Sequence, residues 1–152
     1  MLIGVISDTH GLLRPEAVAA LRGVEHILHA GDVGAIAVLD ALREIAPVTA
    51  IRGNVDVSGA CAELPATDGV ELGGRLFYLV HSVHDLDINP VAAGVAMVVS
   101  GHSHKASVQV RDGVIYFNPG SAGPRRFSLP VTVGFVTVED GVEASVMELT
   151  VE

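Results

Sequence analysis

The chain has 152 residues, which at about 150 residues per domain sets a single domain over 1–152 as the expectation. Its 9 Lys and Arg against 18 Asp and Glu give a net charge of −9, which argues against long nucleic acid as the main ligand, because such binders carry a basic footprint. A hydrophobic content of 49% excludes disorder, and the single cysteine, Cys61, excludes an intrachain disulfide and a metal site built of cysteines alone. Residues 1–8 hold no basic stretch and too short an apolar run for a secretion signal, and the longest apolar run, 91–99, falls well below the ~18 residues of a membrane span. A cytoplasmic chain with no membrane partner is expected, with self-association left open.

In chain order, Leu2–Ile6 is a continuous apolar run, as in a strand buried on both faces. Pro15 and Glu16 then suit the start of a helix, which Gly23 ends. A strand is expected over 26–30, a helix over 35–44 with Ile36, Leu39 and Leu42 on one face and Pro47 beyond its end, and a third strand over 48–51. This order implies a parallel sheet with right-handed crossovers. From about Asp68 the pattern changes to hairpins. Gly73-Gly74, Asp112-Gly113 and Asp140-Gly141 separate the β-rich pairs 70–72 and 76–80, 108–110 and 114–117, and 133–138 and 142–149. Val95–Val99 is a further buried strand. Pro90 argues against a long helix in 86–93, which reads as ambiguous. Two packed sheets with helices outside follow.

Polar residues of related chemistry stand at the ends of these strands: Asp8 and His10, Asp32, Asn54, His81, and His102 with His104. Ligands of open sheets bind beyond the carboxyl ends of strands, so five loops bring these side chains to one rim. Carboxylates and imidazoles crowded without a cation suffer like-charge repulsion and desolvation, which a divalent ion removes. Seven donors exceed what one ion takes, and a carboxylate such as Asp32 can bridge two ions with its two oxygens. Paired ions suit phosphoryl displacement, because they clamp the attacking and leaving oxygens and lower the pKa of bound water. Nitrogen and oxygen donors without thiolate suit manganese, the metal taken forward, as well as iron, zinc, nickel or cobalt.

The ordered blocks Asp8-Thr9-His10-Gly11, Gly31-Asp32, Gly53-Asn54, His81 and Gly101-His102-Ser103-His104 resemble those of the calcineurin-like metallophosphoesterase superfamily. The short chain, and Asn118-Pro119-Gly120-Ser121 followed by Pro124-Arg125, resemble its small bacterial and archaeal phosphodiesterase branch. The resemblance implies an α/β fold, a four-layer α/β/β/α sandwich of two mixed sheets flanked by helices. It implies one metal on Asp8, His10, Asp32 and His104 and a second on Asp32, Asn54, His81 and His102. A hydroxide bridging them would attack a small phosphorylated substrate, with Asp32 and Asn54 in the catalytic centre.

The chain departs from the family pattern twice. Many members carry histidine directly after the asparagine ligand, where it can protonate the leaving group; here stands Val55, which donates no proton. General acid catalysis is typically worth 10²–10⁴-fold, so poor leaving groups should turn over slowly. Ser82 follows His81, where glycine is usual, and nearby His84 is the candidate replacement acid. The retromer-subunit branch of the fold serves as an interaction scaffold with little or no activity, and this is the alternative function beside a phosphomonoesterase.

Other residues carry weaker expectations. Arg125 and Arg126 are candidates for binding substrate phosphate, against solvated loop arginines. His29 is either a buried histidine bonded to backbone or a support near Asp32, and His26 is expected at the surface. Asp56 is expected to hold the Asn54 loop through local backbone, Asn118–Ser121 to be a turn, and Cys61 to be structural.

Overall fold

The computed structural model describes residues 1–151. Its first half alternates β1 (Leu2–Ile6), α1 (Pro15–Leu21), β2 (His26–His29), α2 (Ile36–Arg43) and β3 (Val48–Ala50). The second half runs β4 (Thr67–Leu72), β5 (Arg75–Val80), α3 (Pro90–Ala93), β6 (Val95–Val99), β7 (Ser107–Arg111), β8 (Val114–Asn118), β9 (Thr132–Val138) and β10 (Val142–Glu148). Among the described residues no helix is long and apolar enough to cross a membrane.

Helices α1 and α2 have seven and eight residues, too few to persist alone. They are held by the stripes they bury: Ala17 and Leu21, and Val38, Leu39 and Leu42, pack on Ile6, Ile27 and Val133 of the first sheet. That sheet has the order β10-β9-β1-β2-β3, with β1, β2 and β3 parallel and β9 and β10 antiparallel. The second sheet, β4-β5-β6-β8-β7, has a parallel centre of β5, β6 and β8 and an antiparallel strand at each edge.

The period of two along each strand divides side chains between two cores. Ile3, Val5 and Leu28 turn from the helices and meet Phe77, Met97 and Phe117 between the sheets. The outer face of the second sheet, with Val80, Val95, Val98 and Val114, is covered by Leu86 and Ile88. The fold is therefore two mixed sheets with helices outside, as expected, but its fourth layer is thin. Segment 86–93 supplies a single helical turn, capped by the Asn89 side chain accepting from Ala92 N–H and ended by left-handed Gly94. Strand β4 begins at Thr67, three residues before the expected start, because Asp68 and Gly69 pair with Leu79 and Tyr78 along an edge where alternation is weak. The last hairpin turns through three residues rather than two, Glu139 N–H donating to the Gly141 carbonyl at 3.0 Å.

Candidate metal centre

The parallel strands of both sheets deliver their carboxyl ends to one rim, and pairing continues into the loops beyond them. Asp8 N–H donates to the Gly31 carbonyl (3.0 Å), His10 N–H to the Asp32 carbonyl (2.9 Å), and Gly101 N–H to the His81 carbonyl (2.9 Å). Asp8, His10, Asp32, His102 and His104 all have left-handed backbones, with φ of 57°, 47°, 54°, 72° and 62°. Non-glycine residues rarely adopt this region, and such strain concentrates at functional sites. Close approach fixes two glycines. A Cβ at Gly53 would lie 2.2 Å from Asp32 Oδ1, and one at Gly101 would lie 2.0 Å from Ser7 Oγ.

Both carboxylates point one oxygen at protein donors and the other at the histidines. Asp8 Oδ2 accepts from Ser7 Oγ (2.8 Å) and His102 N–H (3.2 Å). Its Oδ1 lies 3.9, 3.8 and 3.5 Å from Nε2 of His10, His81 and His104. Asp32 Oδ1 accepts from Val55 N–H at 3.0 Å, while Oδ2 stands 3.7 Å from His10 Nε2 and 3.1 Å from His81 Nε2. Asp32 therefore turns a single oxygen to the cluster, where two were expected, because the Val55 amide holds the other. Asp8, His10 and His104 form one group of donor atoms within 4.8 Å of one another, and Asp8, Asp32 and His81 form another. The His10 and His104 rings stack at 5.4 Å, and the His102 ring meets that of His81 edge-on at 5.3 Å. Asn54 is exposed on a depression that also borders His81.

Asp8 Oδ1, His10 Nε2, His81 Nε2 and His104 Nδ1 are buried and have no hydrogen-bond partner among the described residues. Each such orphan costs about 1–3 kcal/mol, so the three that face one another, Asp8 Oδ1, His10 Nε2 and His81 Nε2, need a common partner. A divalent cation with nitrogen and oxygen ligands fits them. His81 is already set for this role: its Nδ1–H donates to the Ala30 carbonyl at 2.7 Å, which leaves the lone pair on Nε2.

The electrostatics separate the two carboxylates. Burial raises the Asp8 pKa, with His81, Ser7 and His104 opposing. Burial also acts to raise that of Asp32, but the close approach of the His81 ring and the hydrogen bond from the Val55 amide overturn it and hold the group well below the usual carboxylate range. Burial acts to lower the His81 pKa, yet the Asp32 carboxylate beside it and the Ala30 carbonyl leave it raised. His104 is lowered, by burial first and with Arg126 contributing. Arg126 thus stands within electrostatic reach of the centre, and both Arg125 and Arg126 are exposed. His84 is also exposed and lies on the wall of a groove beside His102.

A second set of residues holds the donors in place. His29 fulfils both of its expected roles: Nδ1 accepts from Gly31 N–H (3.1 Å), and Nε2 meets Thr9 Oγ1 (3.0 Å) between Asp8 and His10. Its burial lowers the pKa to about 4, so the ring is neutral. Asp56 accepts from Val33, Gly34 and Gly53 N–H at 2.9–3.0 Å, tying the Asp32 loop to the Asn54 loop. His26 is half-buried rather than at the surface, bonded to Thr49 Oγ1 of β3 at 2.8 Å. Cys61 lies in the helix-side core.

Sequence reasoning missed three supports. Asn118 Nδ2 donates to the Gly101 carbonyl (2.9 Å) and Ser103 Oγ (3.1 Å), clamping the loop that carries His102 and His104. Ser121 Oγ donates to the Asp8 carbonyl at 3.2 Å, and Ser7 orients Asp8. The expected turn at 118–121 is thus also a brace, and the Asn-Pro-Gly-Ser run beside a histidine block was its only signal.

Comparison with known proteins bears on this arrangement. A "probable metallophosphoesterase" of Methanothermobacter thermautotrophicus is 35% identical over 142 residues, 86% of this chain and 82% of that protein. The solved structure of an archaeal phosphodiesterase superposes with a TM-score of 0.79 at 24% identity, over 97% of this chain and all of that one. Chaetomium thermophilum Vps29 superposes with a TM-score of 0.78 at 19% identity, over 99% and 98% of the two chains. The profile of the calcineurin-like phosphoesterase superfamily domain matches residues 1–141, nearly the whole of both sheets and every donor of the centre, and it is to this superfamily that the chain belongs.

Proposed function

We propose that the chain is a metal-dependent phosphodiesterase of the cytoplasm, acting on a small phosphorylated substrate. The observation that carries this reading is the nest in which the orphaned Asp8 Oδ1, His10 Nε2 and His81 Nε2 meet Asp32 Oδ2. Asp8, His10, Asp32 and His104 would hold one divalent ion, and Asp32, Asn54, His81 and His102 a second, with manganese the first choice. When bound, such a pair supplies Lewis-acid neutralisation of charge on phosphoryl oxygens and a water acidic enough to ionise near neutral pH.

The chain's own residues do the rest. The Val55 amide fixes Asp32, and the Ala30 carbonyl fixes the ring of His81. The exposed Arg126 and its neighbour Arg125 would offer a guanidinium to substrate phosphate. Val55 has no proton to give, so His84 is the candidate donor to the leaving oxygen. A substrate with an acidic leaving alcohol needs that proton least.

The test is turnover of bis(4-nitrophenyl) phosphate and 4-nitrophenyl phosphate with Mn²⁺, in wild type and Asp32→Asn. Metal-stimulated hydrolysis, faster on the diester and reduced about a hundredfold or more in the variant, is expected. Absence of metal-stimulated turnover, or an unaffected variant, would refute it. The competing reading, an interaction scaffold, draws on Val55 and on the likeness to Vps29. It expects no uptake of divalent metal, which elemental analysis of protein dialysed against Mn²⁺ measures directly.

A further inference from the structure

A groove of about 320 Å³ opens beside His102 on the outer face of the second sheet. Its position follows from register: β7 pairs with β8 so that Gln109 lies opposite Tyr116 and Ser107 opposite Asn118, which puts these side chains on one face. His84 and Ser103 line the end near the centre, and Gln109, Arg111 and Tyr116 line the rest. The volume reaches the lower range of small-molecule pockets, about 300 Å³.

Arg111 is held in a particular way. Its guanidinium carbon lies 5.2 Å from the centroid of the Tyr116 ring, and Nη2 donates to Gln109 Oε1 at 2.9 Å. Exposed arginines on an edge strand ordinarily sample many rotamers. This one lies over a ring and is pinned at an edge by Gln109, and the residue is exposed. A flat, oriented guanidinium is a stacking surface for a planar ring. A second depression, bordering His81, differs: Asn54 and Thr67 share it with the carboxylates of Asp85 and Asp87. The two depressions therefore present different chemistry to the two arms of a diester.

We infer that the Arg111–Tyr116 groove is the subsite for one ester arm of the substrate, and that it selects an arm bearing an aromatic ring, such as a nucleoside. This deepens the phosphodiesterase reading and rests on it. The ring stacks on the Arg111 guanidinium, and the hydroxyls of Ser103 and Ser107 face the polar part of the arm.

The test compares binding of adenosine 5′-monophosphate and ribose 5-phosphate to the Mn²⁺-loaded protein by calorimetry. The two ligands share phosphate and sugar and differ in the base. Adenosine monophosphate should bind about tenfold more tightly, in the range of base stacking on side-chain planes. That preference should collapse to less than about twofold in Arg111→Ala and in Tyr116→Leu, with ribose 5-phosphate unchanged. Equal behaviour of the two ligands in wild type, or a preference that survives both substitutions, overturns the inference. A protein that keeps an Arg111-dependent preference but hydrolyses no diester fails the functional reading alone.

Discussion

Asp56 shows how a residue outside the donor set can decide whether the centre exists. Its carboxylate is buried and accepts three backbone N–H groups, from Val33 and Gly34 after β2 and from Gly53 after β3. Hydrogen bonds to a charged acceptor are worth about 1.5–3 kcal/mol each, and removing the acceptor strands buried donors. Asp56→Ala should therefore destabilise the fold by about 2–4 kcal/mol in urea unfolding, less than the simple sum because relaxation admits water. A loss under 1 kcal/mol would contradict this account. The role was legible in the sequence because an aspartate two residues after Asn54 can bond local backbone. The Asn118, Ser121 and Ser7 roles were not. Short polar residues in turns have a local explanation; Asn118 and Ser121 are distinguished by contacts across more than ten residues of chain, and Ser7 only by which oxygen of its neighbour Asp8 it holds. The clustering of Asp8, His10, Asp32, His81 and His104 could be read because each lies just beyond an apolar run, whereas the single-oxygen presentation of Asp32 depends on a Val55 amide that no side-chain pattern announces.

At the scale of elements, strand β9 passes Phe117 of the opposite sheet at Gly134. A Cβ there would lie 2.6 Å from the Phe117 ring and 3.0 Å from Pro119. Replacing a strand glycine by alanine ordinarily gains about 0.5–1 kcal/mol of backbone entropy. Here the neighbour is a fully buried ring that has nowhere to go, and overpacking costs about 1–3 kcal/mol. The second effect is larger, so Gly134→Ala should lower the urea midpoint; an equal or higher midpoint would show that the sheets can separate locally. The strands themselves were readable from apolar runs and glycine turns. The early start of β4 was not, because an edge strand exposed on one side needs little hydrophobic pattern.

For the molecule as a whole, the centre sits on the seam between the sheets. Asp8, His10, Asp32 and Asn54 leave the first sheet, while His81, His102 and His104 leave the second. Ions bound there would add to the packing of Ile3, Val5, Leu28, Phe77, Met97 and Phe117 and to the hydrogen bonds of His81 to Ala30 and His102 to Asp8 that already join the two sheets. Without the ions, Asp8 remains buried with an unpartnered oxygen in a chain of net charge −9. Mn²⁺ should therefore act on global stability. A ligand at 100 times its Kd adds about 2.7 kcal/mol, which for a domain of this size raises Tm by roughly 5–10 °C. The shift should appear as one cooperative transition moving upward with Mn²⁺, return on chelation, and largely vanish in Asp32→Asn, whose oxygen faces both His10 and His81. A Tm indifferent to both Mn²⁺ and chelator would mean that the nest holds no cation, and the seam would then be closed by packing and the protein's own hydrogen bonds.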